Sequence, residues 1–352
     1  MGRHHASEAH PAGDRVAVRT MILAMIGLTI FVVAMIASYS GAFAKPTLHH
    51  LTVAVAGPQQ LVDGVRSQDA LAVNPVGDDA AARQQVYDRS ADAAFVVSPS
   101  GDMKIYVAGG GGRSVAAAAE TVGRTIAAKG GLPATVDDIA PTAPGNPSGT
   151  VEFYAIIFIS IGASVGAAVF GRLMGSVRNP KTLALRTMTL AGYSALLAGC
   201  VTTYVDGVLH ALVGHPWQVF GALWLYSMAV GGAISGVAAA FGTVASMALT
   251  LFLIIIGNAA AAGPVGRPLL SGFYSEFNAI VPQGSGVSLL RSIEYFGGNG
   301  AYAPAVTLAI WGAAGCLLAV IATASRVNYS ALHRYFSTDA AGYEAVAPVS
   351  SR

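Results

Sequence analysis

Hydrophobic positions in this chain rarely alternate with polar ones; they run together. Continuous apolar runs lie near 20–43, 153–172, 187–206, 217–240, 244–263 and 304–325. Each approaches or exceeds the roughly 20 helical residues that cross a hydrocarbon core about 30 Å thick. Lys, Arg, Asp and Glu are confined to the edges of these runs and the segments between them, with Glu152 at the mouth of the second. An unpaired charge at the centre of a bilayer costs at least about 2.5 kcal/mol, so this partition is the one expected of spans. The pattern predicts an α-helical integral membrane protein with six transmembrane helices.

Residues 45–150 break the pattern. They hold eight of the twenty Lys and Arg and ten of the eighteen Asp and Glu, without a run of membrane length. Short stretches of β-forming residues, Leu51–Ala56 and Met103–Ala108, alternate with helical spacing over 59–68, 78–89 and 114–129. Asp78 and Asp79 suit a helix start, and Glu120 and Arg124 stand four apart on one helix face. These features predict an inserted α/β domain. Ala134–Gly149, with three prolines, reads as a linker into the second span.

Charge fixes the expected sidedness. Arg3, Arg15 and Arg19 precede the first span, Arg172, Arg178, Lys181 and Arg186 lie between the second and third, and Arg326 and Arg334 follow the last. The 207–216 loop has no Lys or Arg, and 264–303 has only Arg267 and Arg291. Basic short loops stay in the cytoplasm. The expected order is therefore a cytoplasmic tail (1–19), a first span (20–43), an extracytoplasmic α/β domain (45–150), spans two to five (153–263), an extracytoplasmic hairpin (264–303), a sixth span (304–325) and a cytoplasmic tail (326–352). The location would be the cell (inner or plasma) membrane, multi-pass, with both termini inside. Ala42-Phe43-Ala44 resembles a signal-cleavage site, but the run before it exceeds the roughly 7–15 residues of a signal core, so an uncleaved anchor is expected.

Composition narrows the chemistry. The chain is 54% hydrophobic and 11% charged, and its net charge of +2 gives no reason to expect a nucleic-acid partner. Cys200 and Cys316 both sit in apolar runs and read as small hydrophobes. His49, His50, His210 and His215 lack the Cys or carboxylate cluster that would complete a metal site, so none is expected. Gly109–Gly112, followed by Arg113 and Ser114, sits at a strand-to-helix junction, but lacks the spacing and lysine of a phosphate loop. It reads as a flexible turn. No catalytic motif stands out, and no Asp, Glu or His lies at the centre of a span to relay protons. Neither catalytic residues nor a cofactor is therefore expected in this chain. Gly162, Gly166 and Gly171 in the second span, and Gly231, Gly232 and Gly236 in the fourth, suit close helix packing within the chain more than a seam between copies.

The 264–303 segment opens with Pro264 and Pro268, and continues through an aromatic stretch with Phe273, Tyr274 and Phe277. An amphipathic helix follows over 287–296, with Arg291, Glu294, Tyr295 and Phe296, and is stopped by Gly297-Gly298. It is too short to span and is expected at the outer interface, or dipping into it, with Tyr and Phe at headgroup depth.

Gly145–Gly149 (GNPSG), Pro268–Phe277 and 280–296 (IVPQGSGVSLLRSIEYF) resemble the permease subunits of type-2 ATP-binding-cassette exporters. The closest likeness is to the actinobacterial branch with a large extracytoplasmic insert, related to the phage-infection-protein group. The resemblance covers nearly the whole chain in architecture and about forty residues in motif. It implies a permease without its own ATPase domain, moving a hydrophobic or amphiphilic compound outward. It also implies a homodimer, or a heterodimer with a similar permease, in the lipid bilayer. ATP would be used on a separate cytoplasmic subunit docked on Arg172, Arg178, Lys181 and Arg186. A non-transporting receptor or envelope assembly factor, its outer domain binding a surface ligand or phage, is the alternative the same architecture allows.

Overall fold

A computed structural model describes residues 11–175 and 179–343, with side chains placed between 16 and 326 apart from 176–178. Arg178, one of the basic residues expected at the docking loop, lies outside the described residues.

Among the described residues, five helices are long and apolar enough to cross a membrane. They are α1 (Pro11–Phe43, apolar from Val16), α5 (Val151–Leu173), α6 (Pro180–Gly207), α7 (Pro216–Phe241) and the first part of α11 (Tyr302–Tyr343). The expected fifth span is shorter than the sequence suggests. It is a ten-residue helix, α8 (Thr243–Phe252), continued by a five-residue π turn, Leu253–Gly257. The apolar run goes on to Gly263, but Ala259, Ala260 and Ala262 leave the bundle and join the core of the inserted domain. Hydropathy alone cannot distinguish an alanine facing lipid from one facing a soluble-type core.

The inserted domain is a five-stranded sheet, β1 (Leu51–Ala56), β2 (Leu71–Pro75), β3 (Ala93–Val97), β4 (Met103–Val107) and β5 (Ala134–Asp138), in the order β2-β1-β3-β4-β5. Only the β3–β4 pair is antiparallel. Side chains alternate across each strand. Leu51, Val53 and Val55 face α2 (Gln59–Arg66) and α4 (Arg113–Lys129), whereas Ala54 and Ala56 face α3 (Asp79–Tyr87). Both faces are covered, so the central strands read as apolar throughout. Asp78 caps α3, its side chain accepting from the Ala81 amide at 2.7 Å. The Ala134–Gly149 linker is corrected in its first third: Ala134–Asp138 is an edge strand parallel to β4. Its five residues contain a single large apolar side chain, Val136, too little to register as a strand in sequence.

Two short helices, α9 (Gly272–Ile280) and α10 (Pro282–Tyr295), fill the space between the domain and the bundle. The expected interfacial helix is longer at its start and buried by protein along most of its length, with Pro282 to Val287 and Leu289 to Ser292 enclosed. Phe273 is exposed, Phe277 is half-buried, and Tyr274 and Phe296 are buried. The hairpin expected at the outer interface, or dipping into it, is packed as a wedge between the inserted domain and the bundle. Gly297 and Gly298 end it with φ of 60° and 92°, a backbone that favours glycine.

The span glycines sit against neighbouring helices of the same chain. Gly162 and Gly166 receive Leu197 and Tyr193 from α6, and Gly231 receives Leu190. Gly171 lies beside Arg186. Gly232 and Gly236 face Gly312 and Gly315 of α11 so closely that a β-carbon at Gly236 would overlap the Gly315 carbonyl. Gly236→Leu should therefore force α7 and α11 apart and destabilise the protein by about 1–3 kcal/mol. Thermal unfolding in mild detergent would measure this, with Gly192→Leu, where no atom lies within 4 Å, as the tolerated control.

Candidate functional site

Two polar features stand out against the apolar bundle. The first is the seam around α10. Arg291 is buried, yet forms no ion pair among the described residues. Its guanidinium donates to four carbonyls instead: Gly111 (3.2 Å), Ala262 (3.2 Å), Gly149 (3.2 Å) and Gly263 (3.1 Å). These belong to the inserted domain, the approach to α5 and the segment after the π turn. Burial lowers the Arg291 pKa, opposed by nearby Glu152 and Tyr295. Five donors in a fixed fork make Arg the one side chain able to gather so many acceptors.

One helical turn further on, Tyr295 donates to Glu152 at 2.6 Å. Glu152 is fully buried and also accepts from the Asn146 amide at 2.8 Å. The side-chain oxygen of Asn146 accepts from the Thr150 and Val151 amides at 3.0 and 3.2 Å, capping the start of α5. Burial raises the Tyr295 pKa well above the ordinary range, and the Glu152 charge adds to the shift. The glycine turn expected to be flexible is a fitted seat. A β-carbon at Gly110 would overlap the Tyr295 ring, and one at Gly111 would touch Phe296 at 3.4 Å. At the other end of α10, Gln283 donates to Leu253 O (2.9 Å), the first carbonyl of the π turn, and to Ser160 Oγ (3.2 Å). A π turn breaks the regular helical ladder, and Gln283 satisfies a carbonyl within that break. A β-carbon at Gly257 would meet the same amide at 2.5 Å.

The second feature lies at the opposite end of the bundle. A cleft of about 540 Å³ opens between α5, α7, α8 and α11, walled by Ala167, Ile234, Ala238 and Leu251. Arg172, Arg186 and Arg326 also line it, and among the described residues no carboxylate does. Arg326 donates to Ala239 O at 2.6 Å. Of the basic residues expected at a docking loop, Arg172 and Arg186 thus line this cleft, and Lys181 is exposed on the first turn of α6. Asn179 caps that helix, accepting from the Thr182 amide at 2.8 Å.

The four histidines do not converge, and no group of three or more His, Cys, Asp or Glu that could hold a metal occurs among the described residues. Sequence reasoning gave no role to Arg89, and it quoted Asn146 and Gln283 only within the stretches that carry the resemblance, without a bonding role for either. No family model matches this chain, and no curated protein or solved structure does so either.

Arg291→Met would leave four carbonyls without their donor, at a cost of at least about 3 kcal/mol. Arg291→Lys should recover only part, because an ammonium cannot reach four acceptors at once; unfolding midpoints in detergent would compare the three proteins. Glu294 offers a pH test. Its Oε1 accepts from the Gly214 amide at 2.9 Å, and burial is the main cause that raises its pKa, ahead of Glu152 and Asp206. The folded state therefore holds this proton more tightly than the unfolded chain does. The resulting stabilisation is complete below the ordinary carboxylate range and is lost as pH rises through the folded pKa. Glu294→Gln should flatten that part of the stability profile; an unchanged slope would show that another group sets it.

Proposed function

We propose that this chain is the membrane-spanning permease subunit of an ATP-driven exporter. Its cargo is a hydrophobic or amphiphilic compound taken from the cytoplasm or inner leaflet. The observation that carries this reading is the cleft between α5, α7, α8 and α11, whose apolar walls and three arginines match an amphiphile's tail and polar head. In this reading Thr243–Gly257 crosses the membrane as a shortened fifth span, making six crossings in all. The chain connectivity supports that: Gly242 turns it back from the end of α7, and Ala259 and Ala260 reach the inserted domain. Six crossings put both termini and the cleft in the cytoplasm, consistent with the basic segments there.

The chain itself does not hydrolyse ATP in this account. A cytoplasmic ATPase docks against the 172–186 segment and drives a dimer of permeases between inward- and outward-open states. The long apolar face of α1 supports a partner or lipid alongside it, since its apolar window is unburied within the chain. The resemblance in 145–149 and 268–296 supports the same assignment.

Purification of the native complex in mild detergent tests the proposal. An ATPase subunit should accompany the chain, and Arg178→Glu with Lys181→Glu should release it while membrane insertion is kept. Ala168→Trp, at an exposed wall of the cleft, should reduce efflux several-fold with assembly unaffected. A chain that purifies without an ATPase, and whose loss leaves efflux unchanged while abolishing binding of a surface ligand or phage, would establish the receptor reading instead. A single cysteine at Ser100 should be labelled by an impermeant maleimide from outside the cell, fixing the side of the inserted domain.

A further inference from the structure

The seam holds a cavity of about 450 Å³ beside α10, between the inserted domain and the hairpin. Its lining is unusual for the outer side of a membrane protein. Three arginines and two histidines line it, against one aspartate and one glutamate. The 264–303 segment has just two basic residues, Arg267 and Arg291, and both line this one space.

None of the three arginines forms an ion pair among the described residues. Arg89 donates through one nitrogen, Nη1, to Ser288 O (2.8 Å) and Ser292 Oγ, leaving Nε and Nη2 without a protein partner. Its guanidinium lies 5.0 Å from the centre of the Phe296 ring, which holds it in place. Arg267 makes no side-chain hydrogen bond and is exposed at the rim. Asp92, the nearest carboxylate to act on Arg89, is already committed to the Thr52 amide at 2.9 Å. Burial, and then the neighbouring Arg291, push the Arg89 pKa down to about 10, with Asp92 opposing. Positive charge is thus gathered in a partly desolvated space with too little negative charge to balance it. Guanidinium groups with free donors pair with planar or tetrahedral oxyanions through two parallel hydrogen bonds. The volume falls within the roughly 300–1,000 Å³ of small-molecule sites, larger than a bare inorganic ion needs.

We propose that this cavity is an oxyanion-binding site in which Arg89 and Arg267, backed by Arg291, hold the phosphate group of an organic ligand. The phosphate arrives either on a soluble compound or as the headgroup of an outer-leaflet lipid. The site does not depend on the transport reading, because it binds in the isolated chain without an ATPase.

The full-length protein in uncharged detergent tests this, with chloride at equal ionic strength as the control. Inorganic phosphate should raise the unfolding midpoint, and the shift should grow with concentration. In nanodiscs, phosphatidylglycerol should raise it above phosphatidylcholine if the group comes from lipid. Stabilisation by soluble phosphate alone identifies a soluble ligand; stabilisation by the anionic lipid alone identifies a headgroup. Arg267→Ala breaks no hydrogen bond within the fold, so it should leave the ligand-free midpoint unchanged and weaken the anion effect at least about tenfold. Arg89→Lys keeps the charge but loses the fork, and should weaken it as well. The proposal is overturned if neither anion stabilises the protein, or if the stabilisation survives intact in the Arg267→Ala, Arg89→Lys double variant.

Discussion

A buried guanidinium holds this structure together. Arg291 cannot reach solvent, and the low-dielectric seam makes an unsatisfied charge there very expensive. Four backbone carbonyls solve the problem only because the glycine turn of the inserted domain, the approach to α5 and the chain beyond the π turn all end at the same point. Each of those segments is then fixed relative to the others. Glycines at 110, 111, 149 and 263 lie at or beside these contacts because the backbone itself must come close, with no room for side chains between. The inserted domain is consequently no bead on a string: its apolar core continues through Ala259, Leu270 and Val281 into the hairpin.

Much of this arrangement was legible in the sequence, and the reasons are physical. Leu51–Ala56 was readable because β-branched residues occupy a strand covered on both faces, and Asp78 because a helix start needs an acceptor. The long spans were readable because lipid admits a single solution, a helix with all its backbone bonds internal. The errors occur where an apolar residue has two possible solvents. Ala259, Ala260 and Ala262 look like membrane and pack into the core of the inserted domain. Val287 to Phe296 look like an interfacial helix and are enclosed by protein on nearly all sides. The bonding roles of Gln283 and Arg89, and the contact of Asn146 with Tyr295, were illegible because the partners are far away in sequence, 123, 203 and 149 residues off. No local pattern records a contact of that range.

The two ends of the bundle are built on opposite principles. Around α10, polar groups are buried and tied into hydrogen bonds, with Glu152 Oε2, Gln283 Oε1, Arg291 Nε and Glu294 Oε2 left without a partner among the described residues. Around Arg172, Arg186 and Arg326 the helices part, and a cleft is left between them. The rest of α1 stands away from the other helices, held near its end by Ser38, which donates to Ile255 O at 2.8 Å and accepts from the Tyr274 hydroxyl at 3.1 Å. Rigidity is thus concentrated on the side of the inserted domain, and freedom to rearrange on the other.

The shortness of Thr243–Gly257 has a consequence for the membrane itself. At 1.5 Å per residue, its ten α-helical and five π-turn residues cover about 22 Å, against a hydrocarbon thickness of about 30 Å. In the six-span arrangement proposed above, lipids beside this segment compress or tilt to meet it, at a cost of a fraction of a kcal/mol per ångström of mismatch. The cleft opens next to this segment, on the α8 side. In the exporter reading proposed above, a bilayer thinned at that spot shortens the distance a polar headgroup travels between leaflets, so the protein would lower that barrier partly by reshaping its solvent.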